Sequence, residues 1–232
     1  MRLKHVRAVW LKQAFDIRHN YSVILQFVLF PLLSWGISLV IPWEMKPVAV
    51  MILSSNFTSI VPMVTVRNII REDRSKGVLR AFIYANVSPT EYLMGINAFL
   101  LGVSLITSIL IGSIFEFSGF VLLKYMLVLL LGTVTTLIVG SALTISSAID
   151  STGIAFVVFM LFNSMIPILG MFNSTAQTIL RFTYPYQISN MIGDIYGGYF
   201  EINRVIVVFF NIMFFLAVFI ILYKKEAKLK CI

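Results

Sequence analysis

Six stretches without a single Asp, Glu, Lys, Arg or His divide this chain, at residues 22–41, 47–66, 92–115, 125–147, 153–171 and 205–223. Each is long enough, at 1.5 Å per residue, to cross a hydrocarbon layer of about 30 Å as a helix. Only a helix satisfies every backbone donor and acceptor within one such segment. The expected fold is therefore an all-α membrane protein: one transmembrane domain, 1–232, of six transmembrane helices. Composition agrees, with 12% charged residues and a mean hydropathy of +0.94, whereas soluble domains carry about 25% charged residues. The first stretch is too long and too polar-flanked for a cleaved signal and reads as a first span. The lone Cys231 leaves no internal disulfide to form.

The net charge of +8 is informative through its placement, and no nucleic-acid partner is expected. Fourteen of the 18 Lys and Arg residues fall in the N-terminal segment (Arg2 to Arg18), in the 67–91 loop, or in the tail (Lys224 to Lys230). Basic loops stay on the cytoplasmic side, so both termini and the 67–91 loop are expected there. Within residues 1–20, Leu3, Val6, Trp10, Ala14 and Ile17 recur at helical spacing. Basic residues occupy much of the remaining surface, the pattern of an interfacial helix lying on the inner leaflet.

Absences narrow the function. Ion-coupled carriers need ionisable groups inside the membrane, and these spans have none. The two histidines, His5 and His19, both lie in the N-terminal segment. No catalytic residue set, metal-ligand cluster or phosphate-binding GxxxxGK[ST] loop is evident. No enzyme activity is expected of this chain, and any ATP must be handled by another one.

The charges instead concentrate in "REDRSKGVLRAFIYANVSPTEY", residues 71–92. Gly77 can end or bend a helix. Val78, Leu79, Phe82 and Ile83 supply an apolar face. Ser88, Pro89 and Glu91 form a helix start, with Ser88 as cap, Pro89 at the first position and Glu91 at the third. The segment reads as a short helix, a turn and a return to the membrane. In the fourth stretch Gly132, Thr136, Gly140, Thr144 and Ala148 place a small residue at every fourth position, which suits close helix packing. Asn56 and Thr58 in the second stretch, and Asn163 in the fifth, read as interhelical hydrogen-bonding and packing residues, and alternatively as candidates to face a translocation route. Residues 172–204 are rich in Tyr, Phe and Gly rather than charge, including Tyr199 and Phe200. They read as an external re-entrant loop packed on protein, or as a plain interfacial lid.

Taken over its whole length, the chain resembles a permease subunit of the ABC-2 type, the transmembrane half of an ATP-binding-cassette exporter. The resemblance rests on the interfacial N-terminal helix, the six spans and the acidic-glycine-leucine segment after the second span. It also rests on "YPYQISNMIGDIYGG" before the last span. It implies that residues 67–91 hold a cytoplasmic coupling helix, with Arg71, Glu72, Asp73, Gly77, Leu79, Arg80 and Phe82 engaging the ATPase. It implies a second identical or homologous permease, two nucleotide-binding ATPase subunits that carry ATP and Mg, and a bacterial plasma membrane. Neither a cofactor nor a metal is expected in this chain. The uncharged spans suit an amphipathic or hydrophobic cargo, such as a peptide toxin, an antimicrobial peptide or a drug. Export of polysaccharide or sodium, and a non-transporting scaffold or sensor, are the alternatives.

Overall fold

The computed structural model describes residues 2–17, 21–146, 152–198 and 201–229. Arg18, His19, Ala148, Tyr199, Phe200, Lys230 and Cys231 lie outside them. Among the described residues the protein is all-helical. The order is α1 (Leu3–Ile17), α2 (Tyr21–Val40), a 3₁₀ turn (Trp43–Met45), α3 (Lys46–Ser75), α4 (Val78–Tyr84) and α5 (Pro89–Ile114). Then follow α6 (Gly119–Ser146), α7 (Thr152–Phe172), α8 (Ser174–Leu180), α9 (Tyr184–Gly197) and α10 (Ile202–Leu229). Five of these helices are long and apolar enough to cross a membrane: α2, α3, α5, α6 and α10. A shorter apolar stretch, Phe156–Gly170, lies in α7.

Helices α3 and α6 form the axis of the bundle. In each, 67% of the apolar window is buried, against 22% for α2 and 11% for α10. An apolar helix buries its surface in lipid as readily as in protein, so hydrophobicity alone does not choose the central pair; packing does. The small residues of α6 decide it here. A Cβ on Gly132 would stand 3.3 Å from Thr58 Cβ and 3.2 Å from Ile188 Cγ2. One on Gly140 would stand 2.8 Å from Val66 Cγ1 and 3.2 Å from the Met63 Cα. The ladder therefore lies against α3, with α9 at its upper rung, and the two backbones approach as only glycine permits. Thr144 takes its place in the same row by donating to the Gly140 carbonyl at 2.7 Å.

Helix α3 runs on for nine residues past the apolar stretch that ends at Val66, so the charged sequence Arg71–Ser75 is helical rather than loop. The chain then turns at Gly77, whose φ of +73° is open to glycine at little cost. Between α7 and α10 lie the two short helices α8 and α9. Most of α9 from Tyr184 to Ile192 is buried, and it touches α3, α6, α7 and α10. Proline at the start of α9 supplies a fixed φ where no N–H is needed.

Candidate functional site

The polar knot between α3 and α5 is a folded unit. Helix α4 ends in a Schellman arrangement. The Val87 N–H donates to the Phe82 carbonyl at 3.0 Å and the Asn86 N–H to that of Ile83 at 3.0 Å. Asn86 takes φ +55°, a left-handed position that asparagine tolerates. Two residues later α5 starts with a full capping box. The Glu91 N–H donates to Ser88 Oγ at 3.2 Å and the Ser88 N–H to Glu91 Oε2 at 3.0 Å. Such a cap is worth about 1 kcal/mol. The apolar side of α4 turns inward: Leu79 is buried, as is Val87 just past the helix, and the Phe82 ring lies 5.9 Å from Tyr92. Tyr92 in turn lies 6.1 Å from Tyr223 of α10.

Helix α1 closes the unit from the other side, by charge as much as by apolar contact. Asp73, fully buried, pairs with Lys12 and accepts a hydrogen bond from the Tyr92 hydroxyl at 2.8 Å. Lys12 also reaches Asp16 at 2.9 Å. Burial pulls the Lys12 pKa down, but the hydrogen bonds with Asp73 and Asp16 outweigh it and raise the value, so the ammonium stays charged. At the near end of α1, Glu91 accepts the Arg2 backbone N–H at 2.5 Å and lies 2.9 Å from His5 Nδ1. One carboxylate thus caps α5 and anchors α1.

Between these two ties α1 crosses α5 at Gly95, where a Cβ would fall 2.5 Å from Val9 Cβ. Accordingly the buried side of α1 is Val9 and Gln13. Of the apolar row read from the sequence, Leu3 and Trp10 are 75% and 39% exposed. Val6, Ala14 and Ile17 of that row are half-buried, and Trp10 makes an edge contact to Phe99 of α5 at 6.1 Å, so the row lies along the margin of the buried side.

The seven residues singled out in the knot therefore divide. Asp73, Leu79 and Phe82 point into the fold. Arg71 and Arg80 are exposed, and Glu72, partly exposed, pairs with Lys76 at 2.5 Å. Gly77 makes the bend. Tyr84 joins the outer face at 73% exposure. Lys12, Tyr92 and the anchoring role of Glu91 had no local signature, because their partners lie 61, 19 and 86–89 residues away.

A second polar group lies in the bundle interior and is neutral. The Tyr184 hydroxyl oxygen accepts from Asn163 Nδ2 at 2.6 Å and from Thr136 Oγ1 at 3.1 Å. The tie joins α6, α7 and α9. Ser54 and Tyr125 share a hydrogen bond of 2.6 Å between α3 and α6. Thr58 donates to the Ser55 carbonyl at 3.0 Å and sits against Gly132. Asn56, half-buried, has a side-chain oxygen without a partner among the described residues. The structure thus brings Thr136 and Asn163 together, but gives Thr58 and Asn56 separate surroundings. No group of His, Cys, Asp and Glu suited to a metal ion occurs among the described residues. The chain matches no known family profile and no curated protein.

Proposed function

We propose that this chain is the membrane-spanning subunit of an ATP-driven exporter of the ABC-2 type. It works as a pair of identical or homologous copies with two nucleotide-binding ATPase subunits. The observation that carries the reading is the construction of the knot. Its outer face is polar and accessible, through Arg71, Glu72, Arg80 and Tyr84. Its inner face is tied to α1 and α5 through Asp73 and Phe82, with Leu79 buried, and Tyr92 carries the contact on to Tyr223 of α10. A partner pressing on α4 moves the start of α5 and the whole of α1 with it, since each is tied by a charged pair or a packed ring. A lever of this kind suits a subunit that draws its energy from outside.

In this reading α7 supplies the sixth crossing, both termini and the knot are cytoplasmic, and α1 lies on the inner leaflet of a bacterial plasma membrane. Helices α8 and α9 re-enter from the outside. The exposed side of α1, with Leu3, Trp10 and Phe15, suits the inner headgroup region. The cargo is amphipathic or hydrophobic, because the spans offer hydroxyls and amides but no charge.

The test is co-purification in mild detergent from the native membrane. A soluble ATPase should accompany the tagged chain. Arg71→Glu with Arg80→Glu should release it while the chain keeps its thermal stability. An ATPase that stays bound to the doubly reversed chain, or none bound to the wild type in any lipid, would sink the proposal.

A further inference from the structure

Where α8, α9 and α10 meet, two hollows join. One, of about 390 Å³, is lined among others by Arg181, Gln187, Asn190, Glu201, Asn203 and Arg204. The other, of about 450 Å³, is lined by Phe182, Ile206, Val207, Phe210, Asn211 and Phe214. They share Phe182 and Val207, and each is within the size range of small-molecule sites. Both are largely apolar, the first with several polar side chains among its lining, and the second lies along a helix apolar enough to cross a membrane.

The two arginines differ. Arg204 is already matched: its Nε lies 3.2 Å from Asp194 Oδ2 and 3.1 Å from Glu201 Oε2. Arg181 has no carboxylate partner among the described residues; its guanidinium rests beside the Phe182 ring, 4.9 Å from the centroid. The backbone that carries it is tethered. The Arg181 carbonyl accepts from the Gln187 side chain. Asn211 Nδ2 reaches both the Phe182 carbonyl, at 3.1 Å, and the Val207 carbonyl, at 2.8 Å. A cation without a carboxylate partner among the described residues thus stands, exposed and on a tethered backbone, among the residues that line the first hollow. Below it Ile206, Phe210 and Phe214 follow one another at helical spacing, each exposed, and form an apolar track.

We propose that the joined hollows are a phospholipid site. The phosphate oxygens take the Arg181 guanidinium, which presents paired N–H donors suited to such an anion. One acyl chain lies along Ile206, Phe210 and Phe214, and Asn190 and Asn203 meet the rest of the headgroup. The occupant is a lipid of the leaflet at that end of the bundle. The inference stands apart from the export reading, since its readout requires neither ATPase nor cargo.

The test is native mass spectrometry of the full chain in nonionic detergent, titrated with palmitoyl-oleoyl phosphatidylglycerol. One lipid should be retained per chain. Arg181→Gln should weaken retention by about tenfold, the scale of one charge-assisted hydrogen bond. Ile206→Trp, which fills the track at a lipid-facing position, should do the same. Lys124→Gln, another basic residue near that end, should leave retention unchanged. Inorganic phosphate should not displace the lipid, and diacylglycerol should bind weakly. Wild-type retention in both site variants would overturn the proposal. So would equal loss in Lys124→Gln, which would mean a diffuse charge effect, or displacement by phosphate, which would mean an anion site alone. Loss of a dimer in Ile206→Trp with lipid retention intact would show that a second copy covers the track, and would overturn it as well.

Discussion

The knot and the bundle interior solve one problem in two ways. Both hold helices together through polar groups. At the knot the contacts are charged: Lys12 with Asp73, and Glu91 with His5 and the Arg2 backbone. In the interior they are hydroxyls and amides: Ser54 with Tyr125, and Thr136 and Asn163 with Tyr184. The difference follows from the surroundings. An isolated charge in hydrocarbon is too costly to keep, whereas a hydroxyl can return its proton to a carbonyl one turn back in its own helix. Ser108, Thr135, Ser141 and Thr144 do this. Past the apolar stretch of α3 a buried carboxylate is tolerated because a partly exposed lysine on a flexible stem reaches it.

Breaking the charged tie should therefore cost most. Lys12→Met leaves Asp73 buried with only the Tyr92 hydroxyl, and should lower stability by about 3 kcal/mol. The double variant Lys12→Met, Asp73→Leu should recover most of that loss. Denaturant titration in bicelles checks both, and equal losses in single and double variants would mean that the pair is not a tie.

Next comes the crossing of α1 on α5. Gly95→Leu must push Val9 away and should cost about 2 kcal/mol, the range for overpacked cores. It should also expose α1 to protease at Lys4 and Arg7, an independent readout of detachment.

In the interior, Tyr184→Phe removes the shared acceptor of Asn163 and Thr136. The loss should be about 1–2 kcal/mol, from two donors left without a partner. A larger effect than that of Lys12→Met would invert the comparison. The smallest change is Ser88→Ala, which removes half of the capping box and should cost about 1 kcal/mol. Because Glu91 still anchors α1, its effect should stay within the first turn of α5 in amide exchange.

The sequence showed the start of α5 because Ser88, Pro89 and Glu91 are neighbours, and a cap is a local event. Gly77 announced its turn for the same reason. Asn86 carries a local signal too, an asparagine just past an apolar run at the left-handed position that ends α4. The knot's inward and outward faces were not legible. Asp73 looked like its neighbour Glu72, and only the arrival of Lys12 and Tyr92 makes one buried and the other a surface group. The apolar row of α1 is legible in the sequence, while the position of the buried side at its edge, on Val9 and Gln13, depends on Gly95 admitting Val9.

The long uncharged runs settle the solvent and their own helices; the helical continuation of α3 through Arg71–Ser75 they do not. Long uncharged runs leave the backbone no partner but its own turn, so helices in a membrane are the outcome whatever they pack against. Which helices become central, which carboxylate is buried and which of Arg181 and Arg204 meets a carboxylate among the described residues were decided by the tertiary structure. Those choices turn on a few close approaches, at Gly95, Gly132 and Gly140, and on pairs of charges far apart along the chain. In lipid, hydrophobicity does not rank one apolar face above another, so fit and charge pairing make the selection.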